Sequence, residues 1–248
     1  MKSMASELVE RLNVDTAFTI PIFGGIKIAE SVVITWVVMA ILVLLAIWLT
    51  HGMTVRNPSK KQLVVESFVT WVDNFTAQIL GPYGKQYSEY LGTILIYIGL
   101  ANIIGLLGMK PPTKDLNVTI ALAVMSIVLI EAAGIRAKGV KGWAHSFAEP
   151  IAIVTPINIL EIFIRPLSLC MRLFGNVLGS FVIMELIEML IPVGVPLIFS
   201  LYFDIFDGFI QAYVFVFLTG LFIQEAVEPA EPSEKKEKKK KKQKAIAG

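Results

Sequence analysis

Apolar residues in this chain come in runs too long for the strands or amphipathic helices of a soluble core. The first, Ile28–Thr50, carries no charge except Glu30 near its start, and about 20 such residues suffice to cross a bilayer as a helix. A second run, Tyr90–Leu107, is interrupted by Asn102, and a third, Leu116–Gly134, holds Glu131 near its end. Two still longer stretches, Ile159–Ile191 and Pro196–Val227, flank the turn Pro192-Val193-Gly194-Val195-Pro196. Each exceeds what a perpendicular crossing needs, which predicts a strongly tilted, membrane-embedded hairpin. Leu63–Leu80 is different: Val64, Phe68, Trp71, Phe75 and Ile79 recur at steps of three or four among Glu66, Asp73 and Gln78. That spacing predicts an amphipathic helix at the interface or packed on other helices. The pattern as a whole predicts an all-α polytopic membrane protein with about five crossings, the last two forming the tilted hairpin, plus the interfacial helix.

Composition agrees and adds one correction. Of 248 residues 55% are hydrophobic and 17% charged, against roughly 25% charged in a soluble domain. The formal charge of +2 hides an asymmetry, because Glu228–Gly248 holds eight Lys and four Glu, a local +4, leaving −2 for the rest. Residues 1–227 therefore read as a single membrane domain and 228–248 as a disordered Lys-rich tail. Met1–Asp15 is polar and too acidic for a secretory signal. Lys and Arg favour the cytoplasmic side of a membrane. They gather after the first run (Arg56, Lys60, Lys61, Lys85), after the third (Arg136, Lys138, Lys141) and in the tail, against Lys2, Arg11 and Lys27 before the first run and the loop cations Lys110 and Lys114 after the second. Five crossings put all three groups on one side, which predicts an N-terminus outside and a cytoplasmic C-terminus. Cys170 is the sole cysteine, so no disulfide framework exists and the thiol is expected to pack as a small hydrophobe.

An ionisable residue at the bilayer centre costs about 2.5–3.5 kcal/mol or more, so it is expected to face protein or water and is a functional candidate. Such residues concentrate in the last hairpin: Glu161, Arg165, Arg172, Glu185 and Glu188 on the first arm, Asp204 and Asp207 on the second. Glu161 and Arg165 stand four apart, the spacing of a helical ion pair. Arg172 has Ser168 and Asn176 one turn away on either side, and an arginine stays protonated in a protein. It must therefore meet a carboxylate on a facing helix or another chain. Asn176 shares its face, and Gly175 and Gly179 form a small-x-x-x-small pair that lets a helix approach closely. Asp204, Asp207 and Gln211 follow one another by three and four, so each arm carries a polar stripe that can line a water-filled path.

The string Pro166-Leu167-Ser168-Leu169-Cys170-Met171-Arg172-Leu173-Phe174-Gly175-Asn176 resembles the P-x-S-L-x-x-R-L-F-G-N signature of subunit a of F-type ATP synthases, and Gln211-Ala212 before an aromatic residue resembles that family's second signature. The resemblance covers nearly the whole chain. It implies an ion-translocating stator in the bacterial plasma membrane, built to load and unload the carboxylates of a c-ring through two half-channels so that ion flow drives rotation. Subunit b and the rest of the complex are the other implied partners, and the translocated ion is H⁺ or Na⁺. No nucleic acid, metal or cofactor is implied. Arg172 would be the essential stator charge, Asn176 and Gln211 its polar neighbours, and Asp204 the acid of the outer half-channel. Phe181 departs from the family, which often has Glu or His at that position. Glu185, one turn later, and Asp207 are expected to take over the lining there, and Glu161 is a candidate for the cytoplasmic exit. Two other classes compete on the residues alone: a self-sufficient transporter or channel for a small anion, and a structural scaffold.

Overall fold

The computed structural model describes residues 16–20, 26–107, 109–147, 155–191 and 194–228. Met1–Asp15, Pro192-Val193 and the Lys-rich tail beyond Glu228 lie outside these. The elements are a strand pair β1 (Thr16–Ile20) and β2 (Ile26–Ala29), then α1 (Glu30–Thr50), α2 (Lys60–Leu80), α3 (Gly84–Ile103), α4 (Leu116–Ser146), α5 (Thr155–Leu190), α6 (Val195–Ser200) and α7 (Gly208–Val227). Among the described residues five helical stretches are long and apolar enough to cross a membrane, as the apolar runs predict. The antiparallel β1–β2 pair was not anticipated; in its register Phe18 stands opposite Ile28 and Ile20 opposite Ile26.

Two helix starts and one break have a local cause. Ser59 caps α2 by accepting from the Gln62 N–H at 3.2 Å, which satisfies one of the donors a helix start leaves open. Asp115 does the same for α4, accepting from the Asn117 N–H at 2.9 Å. Gly139, at φ 71°, breaks α4 near its end, a backbone state that glycine alone adopts without strain. The chain folds back there, and the Trp143 indole N–H donates to Glu131 at 2.7 Å. The acid that closes the third apolar run is thus satisfied within its own helix.

Helix association in lipid relies on close packing and internal polar contacts rather than on burial from water. The contacts follow that rule. A Cβ on Gly220 would stand 3.2 Å from Ile79, one on Gly92 3.0 Å from Val72, and one on Gly134 3.4 Å from the Ala226 carbonyl. Leu91, Ile98, Ile130, Leu173, Phe215 and Ile223 fill the space between α3, α4, α5 and α7. α7 packs chiefly on α3 and α4, and α5 chiefly on α4, so the two arms of the hairpin touch each other over only a short stretch. α1 stands at the edge with Ile34 and Val38 packed on Ile104, while Trp36, Leu44 and Trp48 are exposed. α2 starts beside the end of α1, where the Lys61 ammonium lies 4.5 Å from the Trp48 ring centre and donates to the Trp48 carbonyl. Its later turns pack on α3 and α7 through Val72, Phe75 and Ile79, while Leu63, Val64 and Trp71 remain exposed.

Candidate functional site

Two features of the second arm place its acids. Leu201–Asp207 is wound as a π-helix between α6 and α7, a form that recurs at functional sites. It lies against the end of α3 at contacts that only glycine permits. A Cβ on Gly105 would stand 2.9 Å from the Asp204 carboxylate, and one on Gly208 2.8 Å from the Asn102 Cβ. The Asn102 amide donates to the Gly208 carbonyl at 3.2 Å and accepts from the Thr113 hydroxyl at 3.0 Å. Asp115, two residues on, accepts from the Ser31 hydroxyl at 2.5 Å. The short loop Pro111–Asp115 is thereby tied to α3 and α1, with Thr113, Lys114 and Asp115 all buried.

Two neighbouring cavities run between the arms. The larger, about 640 Å³, is bounded by the Met109–Pro111 loop, the end of α5 with Glu185 and Glu188, and Asp204. The smaller is lined by Asn102, Asp204, Asp207 and Gln211. Asp204 borders both. Despite the wider π winding, Asp204, Asp207 and Gln211 all border the smaller cavity, whereas Glu185 belongs to the larger one and Asp207 does not. Gln211, 2% exposed, accepts from the Asn176 amide at 2.6 Å. Its own Nε2 is buried with no hydrogen-bond partner among the described residues.

Arg172 stands one turn before Asn176, at the midpoint of α5, and is exposed. It makes no ion pair or hydrogen bond among the described residues. Ser168, Met171 and Gly175 around it are exposed as well, and a Cβ on Gly175 or Gly179 would meet nothing within 4 Å. The face that carries the guanidinium is open along two turns.

Arg165 contrasts with it. Its guanidinium bonds Glu161 at 2.8 Å, as the spacing predicts, and also Glu225 on α7 at 2.5 Å, with Phe222 stacked 5.4 Å away. This clamp joins the arms at the end opposite the large cavity. Both carboxylates are partly exposed, so solvent screens the pairs and Arg165→Gln should cost about 1 kcal/mol. That corresponds to roughly 2–4 °C in thermal unfolding of the detergent-solubilised chain.

Sequence reasoning placed Asn102 only as an interruption in an apolar run and did not single out Thr113, Lys114, Gly105 or Gly208 as contributors to the site. Asn102 carried the one usable signal, since an isolated amide in a membrane helix is expected to bond another helix. The glycines gave none, because their role depends on what packs against them.

Five helical stretches long and apolar enough to cross a membrane, with two cavities bordered by acids between the last two and an exposed arginine nearby, define a multi-pass helical membrane protein. The chain belongs to the ATP synthase A chain family, which its residues 32–224 match. It is 36% identical over 205 residues to the ATP synthase subunit a of Moorella thermoacetica, covering 82% of this chain and 93% of that protein. It is 32% identical over 222 residues to a Propionigenium modestum protein named as the sodium ion specific ATP synthase subunit a, covering 83% of this chain and 76% of that one. A subunit a 2 of a Bradyrhizobium species is 35% identical over 205 residues, covering 82% and 91% of the two chains.

Proposed function

We propose that this chain is the ion-translocating stator subunit of an ATP synthase, in which the two cavities form the outer half-channel and the open face of α5 receives the c-ring. The observation that carries the reading is the position of Arg172: a permanent charge on an open helix face, one turn from the Asn176–Gln211 pair that closes the inner end of the cavity chain. An ion entering through the outer cavity meets Glu185 and Asp204, passes to Asp207 and Gln211, and reaches a rotor carboxylate beside Arg172. The buried Gln211 Nε2 supplies a donor for the ion's hydration or for a carboxylate along that route. Arg172 attracts the deprotonated rotor carboxylate and repels cations, so an ion does not slip directly between half-channels. A membrane potential contributes about 2.3 kcal/mol per charge per 100 mV, which over several ions drives the rotation. In this reading Glu161, held by Arg165, belongs to the exit on the cytoplasmic side, with the N-terminus outside.

Glu185→Gln and Asp207→Asn are each expected to lower ion-driven ATP synthesis in membrane vesicles severalfold, because each removes an ionisable site from one of the two cavities. Parental rates in both variants would remove these residues from the path. The coupling ion is H⁺ or Na⁺, and the Na⁺ dependence of ATP hydrolysis by the purified complex decides between them. No observation favours a self-sufficient anion transporter, which would require uptake by the purified chain alone.

A further inference from the structure

We propose that Lys114 is a specificity-determining residue of this chain: a buried cation, seated on Phe181, that keeps the outer cavity from gathering divalent cations in place of the monovalent coupling ion. The inference rests on reading that cavity as the ion's entry. Lys114 is 7% exposed, and its ammonium lies 3.6 Å from the centre of the Phe181 ring, within the range of a cation–π contact. Phe181 is itself part of the cavity wall, together with Glu185, Glu188 and Asp204. The ammonium thus stands on a ring of the wall around a space that three acids border. The position at which this chain departs from the family's polar residue is the one that seats the lysine.

Lys110, which also borders the cavity, lies 3.6 Å from Glu30, and Asp115 accepts from Ser31 and Asn117. The buried turn holds the Lys114 backbone through its neighbours Thr113 and Asp115, so the charge is fixed in place.

A cavity edged by acids within low-dielectric walls focuses a negative potential and concentrates cations. That potential acts on each ion in proportion to its charge. If it enriches a monovalent ion by some factor, it enriches a divalent ion by that factor squared. One fixed positive charge beside the cavity therefore suppresses divalent ions far more than the coupling ion. Among the described residues no three acidic or imidazole groups converge where a metal ion would be held, so the effect is one of field rather than of ligation.

The test is inhibition of ATP synthesis by Ca²⁺ placed on the side of the vesicle membrane opposite the catalytic head, each variant being scaled to its own rate without Ca²⁺. Lys114→Gln should lower the half-inhibitory Ca²⁺ concentration by about threefold or more, and Lys114→Arg should stay within about twofold of the parent. Lys114→Met, which removes the charge and keeps the length of the side chain, should move in the same direction as Lys114→Gln and serves if that variant does not assemble. Unchanged Ca²⁺ sensitivity in Lys114→Gln, or in Lys114→Met where the first is not obtained, overturns the proposal. A separate arm keeps the underlying reading distinct: Ser200→Cys, on the cavity wall, treated with a small neutral thiol reagent. Loss of synthesis on modification supports the cavity as the ion's route, so unchanged Ca²⁺ sensitivity then defeats Lys114 alone. Synthesis that survives complete modification defeats the reading and the proposal with it.

Discussion

Arg172→Ala is expected to abolish ATP-driven ion pumping into membrane vesicles while the complex still assembles. The guanidinium has no partner among the described residues, so its removal breaks no internal ion pair and leaves no orphaned carboxylate. Its removal also relieves the chain of an exposed charge that would otherwise cost about 2.5–3.5 kcal/mol or more in lipid. The described residues offer Arg172 no counter-charge, so on the proposed reading the charge becomes favourable beside the rotor carboxylate. Arg172→Lys keeps the charge as a compact ammonium without the planar fork that matches a carboxylate, and is expected to recover only a small part of the pumping rate. The readout is ion uptake per assembled complex, with ATP hydrolysis recorded alongside.

Gly208→Val is expected to reduce ion-driven synthesis by tenfold or more, through a different cause. A Cβ at that position would stand 2.8 Å from the Asn102 Cβ, so α3 and the π segment must separate. Overpacking of this kind costs about 1–3 kcal/mol. The separation also strains the two hydrogen bonds of Asn102, to Gly208 and Thr113, worth about 0.5–1.5 kcal/mol each. Because Asp204 lies against Gly105 on the same contact, its carboxylate moves away from the junction of the two cavities. Synthesis assayed in vesicles matched for assembled complex separates this effect from reduced assembly. A parental rate there would mean that the contact between α3 and the π segment does not position the path.

The helices were legible because the bilayer imposes length and polarity on the chain. Ile28–Thr50 and Leu116–Gly134 have no other good reading, and Glu161 four residues before Arg165 announced a pair that the structure contains. Glu225 completes that pair from sixty residues away, and no local spacing foretells it. The acids of the terminal hairpin were visible one by one through their cost in lipid, yet their grouping was not. Asp204 borders both cavities, Glu185 only the larger and Asp207 only the smaller, a division that no helical spacing along one arm announces. Lys114 read as one loop cation among several; its burial follows from how Thr113 and Asp115 bond to α3 and α1. The β1–β2 pair escaped notice because Thr16–Ile20 and Ile26–Ala29 are short and show no strict alternation, a weak signal beside the apolar runs.

The account's central claim is that the open face of α5 around Arg172 receives the c-ring. Cysteine cross-linking tests it most directly, with Gly175→Cys in this chain and cysteines stepped along the carboxylate-bearing helix of the c subunit in the assembled complex. The account predicts disulfides centred at the level of that carboxylate, with ATP-driven pumping stopped by oxidation and restored by reduction. Failure of Gly175→Cys to cross-link to any position on that helix, in complexes that pump at the parental rate, would contradict it.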